Sequence, residues 1–176
     1  LFPWCSSGIL RSQIELGDSL KDLFARLNRT LCDTLTNRRT FVCFLMGELN
    51  LSTRRLILAN SGCPYPYLYR ASTQEVEELV LDAYPLGVRA DTEYRTQEIE
   101  LETGDYVVFC SDGLPEADNI SDELFGFERL AQAIRQECRK DLSAADLVDR
   151  LMGEVQAFAG EAPQGDDKTC VVIRVG

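Results

Sequence analysis

Histidine is absent from all 176 residues. With it go histidine-based general acid–base catalysis, Ser-His-Asp triads and His-ligated zinc. A metal site in this chain has to be built from carboxylates, which favour hard ions such as Mg or Mn. Basic charge is scarce as well: 18 Lys and Arg stand against 29 Asp and Glu, a net charge of −11. That balance argues against a nucleic-acid partner or an anionic membrane surface, where a basic patch is expected. The seven cysteines, at 5, 32, 43, 63, 110, 138 and 170, contain no C-x-x-C pair, which excludes a zinc ribbon or a thioredoxin-like motif. Their number is odd, and several lie in apolar runs such as Val107–Cys110 and Cys170–Ile173. They read as small buried hydrophobes of a reducing compartment, which makes the expected location cytoplasmic. No apolar stretch approaches the length of a membrane span, and no signal-peptide pattern opens the chain, so membrane insertion is not expected.

What is present is an ordinary globular composition, 45% apolar and 27% charged, enough for a packed core. No repeat, low-complexity segment or Pro/Gly-rich linker divides the chain, so residues 1–176 read as one domain. The chain opens at Leu1, not Met, in apolar surroundings, and a fragment of a longer polypeptide is expected. Helical periodicity predicts a helix over Asp18–Leu35, with Leu20, Leu23, Phe24, Leu27, Leu31 and Leu35 on one face and Asp18 or Ser19 as cap. Phe41–Asn50 reads as a largely buried strand, turned at Leu51–Arg54 into a second strand, Arg55–Asn60. Tyr67–Arg70, Val76–Leu81 and Tyr94–Leu101 are further strands, with a turn at Pro85-Leu86-Gly87. Glu102–Asp105 reads as a hairpin-type connection into Tyr106–Cys110, the most apolar strand. Two helices follow. One has its face at Phe127, Leu130, Ala131, Ile134 and Cys138. The other has Leu147, Leu151, Val155 and Phe158, with Ser143 and Asp146 as a cap pair. Thr169–Val175 closes the chain as a buried strand. Hairpins dominate and βαβ alternation is missing, so the class is α+β: two mainly antiparallel sheets flanked by helices, a layered α-β-β-α sandwich.

Two acidic turns adjoin the most apolar strands. Ser111-Asp112-Gly113 follows Tyr106–Cys110, and Gly165-Asp166-Asp167-Lys168-Thr169 precedes Cys170–Val175. Asp and Gly make turns everywhere, so neither alone marks a site. Carboxylates converging from two strand ends repel each other unless a cation lies between them, so together they point to a hard-metal site.

Gly104–Asn119 (GDYVVFCSDGLPEADN), Gly165–Arg174 (GDDKTCVVIR), Phe41–Arg70 ending in ANSGCPYPYLYR, and Pro85-Leu86-Gly87 share one further property. In this order and spacing they resemble the metal-dependent type 2C (PPM) protein phosphatases, in particular the bacterial SpoIIE/RsbU-type branch. The resemblance runs from about Asp18 to the C-terminus. It implies the layered sandwich and a two-ion Mg or Mn site, with Asp112 and Asp166 as catalytic metal ligands and with Gly113 and Asp167 adjoining them. It implies hydrolysis of phosphoserine or phosphothreonine by metal-activated water, without a covalent enzyme intermediate. The expected partner is a phosphorylated regulatory protein, commonly an anti-sigma-factor antagonist in this family. A sensory or receiver domain is expected in the same polypeptide.

Two departures from the family pattern matter. Its upstream Gly-Asp turns, which complete the metal site, have no counterpart: Leu1–Gly17 contains no Asp, and Asp18 reads as a helix cap. The chain is therefore expected to lack the N-terminal strands and half of its metal site. Cys63 stands where relatives often carry His, and it reads as a loop or packing residue. The competing reading is a pseudophosphatase, a protein-binding module that keeps the fold without the chemistry. An unrelated α+β domain with acidic turns is the blandest alternative. Arg38-Arg39 and Arg54-Arg55 read as solvated charges before phosphate contacts. The acidic run Glu116–Glu123 is either a partner-selecting segment or a loop kept soluble by its charge. The alternation of Tyr65, Tyr67 and Tyr69 reads as a half-buried sheet face.

Overall fold

The computed structural model describes residues 19–35 and 41–176. Its elements are α1 (Leu20–Leu35), β1 (Phe44–Asn50), β2 (Arg55–Ser61), β3 (Tyr67–Arg70), β4 (Glu75–Glu78), β5 (Thr96–Glu100), β6 (Tyr106–Cys110), α2 (Phe127–Cys138), α3 (Ala144–Ala159) and β7 (Cys170–Arg174). Contacts divide the chain into two compact units. One comprises 1–63 and 81–100; the other comprises 64–80 and 101–176. The class is α+β, with two antiparallel sheets and flanking helices, as the element order predicts.

The first unit holds the sheet β1-β2-β5. Ser19 starts α1 by accepting the amide of Asp22 and donating to its carboxylate at 2.6 Å, a reciprocal cap. Asp18 lies outside the described residues. The helix buries Leu20, Leu23, Phe24, Leu27 and Leu31 against Ala59, Leu86 and Tyr94. Phe24 is fully buried, with its ring 5.2 Å from Phe44 and 5.6 Å from Tyr94; burial of such a side chain contributes about 2–3 kcal/mol. Asn28 ties the turn at Pro85-Leu86-Gly87 to this helix, accepting from the Gly87 amide at 2.9 Å and donating to the Arg89 carbonyl at 2.7 Å. Gly87 has φ +87°, a conformation a side chain would strain. The expected strand over Phe41–Asn50 is shorter and more exposed than its composition suggests. Val42 makes only an isolated bridge to Leu86, and β1 is half-buried at best. Among the described residues it is an edge strand, paired on one side with β2 and without a strand on the other.

The second unit holds the sheet β4-β3-β6-β7. Tyr67, Tyr69, Tyr106 and Val108 pack with Leu130 and Ile134 of α2 and with Leu147, Leu151 and Val155 of α3. The tyrosine alternation is therefore a sheet face, with Tyr67 and Tyr69 fully inside. Ser143 caps α3, accepting from the Asp146 amide and donating to its carboxylate at 2.6 Å. The predicted helix faces hold except at Phe127, which is exposed at the first turn of α2. The Glu102–Asp105 segment departs from its reading as a hairpin: β5 pairs with β2, whereas β6 pairs with β3 and β7. Its apolar neighbours and turn chemistry are those of a hairpin, but the flanking strands join different sheets. Asp105 anchors the entry to β6. Fully buried, it accepts from Arg70 Nη1 and the Ala71 amide at 2.9 Å and from the Glu102 amide at 3.0 Å. The closing strand, expected to be buried, is β7 at the sheet edge and is only half covered.

Candidate metal-binding site

Both acidic turns belong to the second unit, and the sheet brings them together. β6 and β7 are neighbours in antiparallel register, with Cys110 opposite Cys170. The turn that leaves β6 therefore meets the turn that enters β7. Ser111 clasps them: its amide donates to the Thr169 carbonyl at 3.0 Å, its hydroxyl donates to the Asp167 carbonyl at 2.9 Å, and it accepts from the Thr169 amide at 2.9 Å. Within the first turn the Glu116 amide donates to the Asp112 carbonyl at 2.9 Å. Within the second, the Asp166 carboxylate accepts from the Asp167 amide at 2.7 Å, and its carbonyl accepts from Gln164 Nε2 at 2.8 Å.

Gly113 is where the turns touch. A Cβ placed there would lie 2.4 Å from the Asp167 carbonyl oxygen and 3.0 Å from its carbon. Only a residue without a side chain permits this approach, and the obstacle is backbone that cannot swing away. The structure thus sets the backbone of Gly113 against that of Asp166 and Asp167, with Asp112 the preceding residue of the first turn. The three carboxylates are exposed. Beside them opens a cavity of about 420 Å³ whose walls include Glu116, Asp118, Gln164, Asp166 and Lys168. Among the described residues no group of three His, Cys, Asp or Glu side chains is placed to hold a metal ion. The oxygen donors on the two touching turns suit a hard divalent ion in kind, and two carboxylates supply on the order of a third of the octahedral set that Mg or Mn takes.

Ser111 was visible in the sequence as part of the Ser-Asp-Gly turn, but its clasping role was not: only the strand register shows that Thr169 and Asp167 lie opposite. The thiols below the turns are poor nucleophiles. Burial, with Cys170, Asp112 and Glu78 nearby, pushes Cys110 up to about 12, and burial pushes Cys170 up to about 11. Cys63 lies in the loop after β2, where Asn60 binds its amide at 3.0 Å and its carbonyl at 2.9 Å, in keeping with a loop residue. Arg55 is ion-paired with Glu98, Arg54 occupies a left-handed turn position, and Arg38-Arg39 lie outside the described residues. The acidic run is an ordered loop: the Asn119 side chain accepts from the Ser121 and Glu123 amides and donates to the Glu123 carboxylate.

Comparison with known proteins gives this geometry its context. No curated protein sequence matches the chain. The SiaA-PP2C domain of Pseudomonas aeruginosa superposes with a TM-score of 0.81 at 22% identity, covering 97% of this chain and 68% of that one. The PP2C phosphatase domain of Bacillus subtilis SpoIIE, solved with a fragment of its regulatory domain, superposes at 0.75 and 19% identity, covering 97% and 48%. RsbX in complex with magnesium superposes at 0.63 and 17% identity, covering 95% and 71%. These likenesses establish the shared fold, and the chain spans only about half of the SpoIIE chain it matches. The sequence model for Stage II sporulation protein E (SpoIIE) matches residues 6–176, so this chain belongs to the SpoIIE family.

Proposed function

We propose that this chain is the phosphatase domain of a regulatory protein, hydrolysing phosphoserine or phosphothreonine on a signalling protein with Mg or Mn held by Asp112 and Asp166. The observation that carries this reading is the backbone contact of the two acidic turns at Gly113, at one end of the β6–β7 pair. Asp112 and Asp166 would hold the ion, which would supply Lewis acidity for hydrolysis of the phosphate ester when bound. The chain's own part is positional. Ser111 holds the two turns in register, and Asp167 contributes its carbonyl to that clasp. The exposed mouth beside Asp166 admits a phosphate on a protein surface, with Lys168 the basic group of the adjoining cavity. The magnesium in the RsbX structure supports the choice of metal. The regulatory-domain fragment solved with SpoIIE supports a sensory or regulatory partner in the same polypeptide. The family resemblance implies two ions, the second on carboxylates other than this pair. No described helix is long and apolar enough to cross a membrane, in line with the proposed cytoplasmic location. An anti-sigma-factor antagonist is the substrate proposed from the family.

Asp112→Asn and Asp166→Asn test this reading. Each is expected to abolish Mn-dependent phosphate release from p-nitrophenyl phosphate and a phosphoserine peptide, and to weaken Mn binding in calorimetry. Full activity in either variant refutes the assignment. The measurements are made on the intact polypeptide, and a folded intact polypeptide that binds Mn weakly and releases no phosphate points to the pseudophosphatase instead.

A further inference from the structure

Directly beneath the acidic turns, Cys110 and Cys170 are register partners on neighbouring strands. The hydrogen bonds define what kind of pair they form. Ser111 donates to Thr169 and Val175 donates to Asp105 across the same strand pair, so positions 105 and 111 belong to hydrogen-bonded pairs. Alternation along the ladder then makes Cys110 and Cys170 a non-hydrogen-bonded pair, the type in which facing side chains come closest. In such pairs the Cα atoms stand about 4.5 Å apart, within the roughly 4.4–6.8 Å a disulfide spans. Both side chains point to the helix-covered face and pack at the margin of the same core. Both are half-buried, not sealed, and both are free thiols.

We propose that Cys110 and Cys170 form a modification site, a facing dithiol that sustained exposure to an oxidant of the peroxide class closes, slowly for thiols this buried, into a cross-strand disulfide, stiffening the junction from which the Asp112 and Asp166 turns leave. Each thiol loses one hydrogen, a sulfur–sulfur bond forms, the peroxide oxygen–oxygen bond breaks, and two molecules of water leave. The two electrons pass from the sulfurs to the peroxide oxygens. Facing β-sheet side chains have Cβ atoms about 4.5–5.5 Å apart, whereas a disulfide prefers about 3.8 Å, so closure draws the strands together by roughly 1 Å. Ser111 and Thr169 are the adjacent residues on either strand, and they carry the hydrogen bonds that clasp the turns. Oxidation therefore acts on the clasp with no intervening element. Its effect on catalysis rests on the proposed metal site, whereas bond formation and stiffening do not depend on it.

The test uses the 176-residue chain without metal. Diamide oxidises it, its azo group taking up the two thiol hydrogens; iodoacetamide then blocks the remaining thiols and digested peptides are mapped by mass. A Cys110–Cys170 linked peptide, reversed by dithiothreitol and absent from Cys170→Ser, is expected. Hydrogen exchange of amides 111–114 and 166–169 should slow by about threefold or more in the oxidised chain, since opening the strand pair then costs more. Alkylation of both thiols after diamide, or linkage of either to another cysteine, overturns the pairing. A linked chain with unchanged exchange at these amides overturns the coupling to the turns.

Discussion

A single methyl group at Gly113 is the sharpest probe of the site. In Gly113→Ala the new Cβ starts 2.4 Å from the Asp167 carbonyl oxygen. Ordinary van der Waals contact begins at 3.4 Å, so the two turns must separate by about 1 Å. The neighbour is main chain, fixed on both sides by Ser111, so relief cannot come from a rotamer change. Overpacking of this kind costs about 1–3 kcal/mol, or roughly 2–4 °C of Tm per kcal/mol for a chain of this size. A proposed shared metal ion is affected separately, because ligand distances tolerate only about 0.2 Å. We expect Mn affinity to fall by about tenfold or more, equivalent to about 1.4 kcal/mol. Calorimetric Mn titration and thermal denaturation measure the two effects. Gly153→Ala is the control: it lies in α3 with nothing within 4 Å of the added carbon, and helix propensity predicts a gain of up to about 1 kcal/mol. Unchanged Mn affinity and unchanged Tm in Gly113→Ala would refute the placement of the two turns.

Two further substitutions test how the second unit is held. Asp105→Ala leaves Arg70 and the Ala71 and Glu102 amides without their buried acceptor; a loss of about 3–5 kcal/mol is expected in denaturant unfolding, and a loss under 1 kcal/mol contradicts the buried network. Ser143→Ala removes the cap of α3 and should cost about 1 kcal/mol by the same measurement, with Ser143→Asp close to neutral.

The success of the sequence reading varied with how local the governing physics is. The helices were legible because their buried stripes repeat every three to four residues and because Ser19 and Ser143 announce their own caps. Strands β3 and β6 were legible from dense β-branched and aromatic residues between turn formers. Reading failed where exposure depends on what lies alongside. Phe41–Asn50 and Thr169–Val175 look alike in composition to central strands, yet among the described residues each contributes an edge strand, and no local pattern reports which side of a strand is paired. Glu102–Asp105 looks like a hairpin turn, and only sheet membership shows that it links strands of different sheets.

By itself, the sequence pointed through its missing histidine and its Asp-Gly and Gly-Asp-Asp turns to carboxylates for any metal chemistry, and the family resemblance of those turns put forward Asp112 and Asp166 as the pair. It also settled the α+β class, because periodicity and turn chemistry are carried by neighbouring residues. The tertiary structure alone decided that these turns, over fifty residues apart in the chain, touch at Gly113, that Ser111 clasps them, and that Cys110 faces Cys170. Those relations depend on the register of β6 against β7, which is set by the packing of the whole sheet and is written in no short segment.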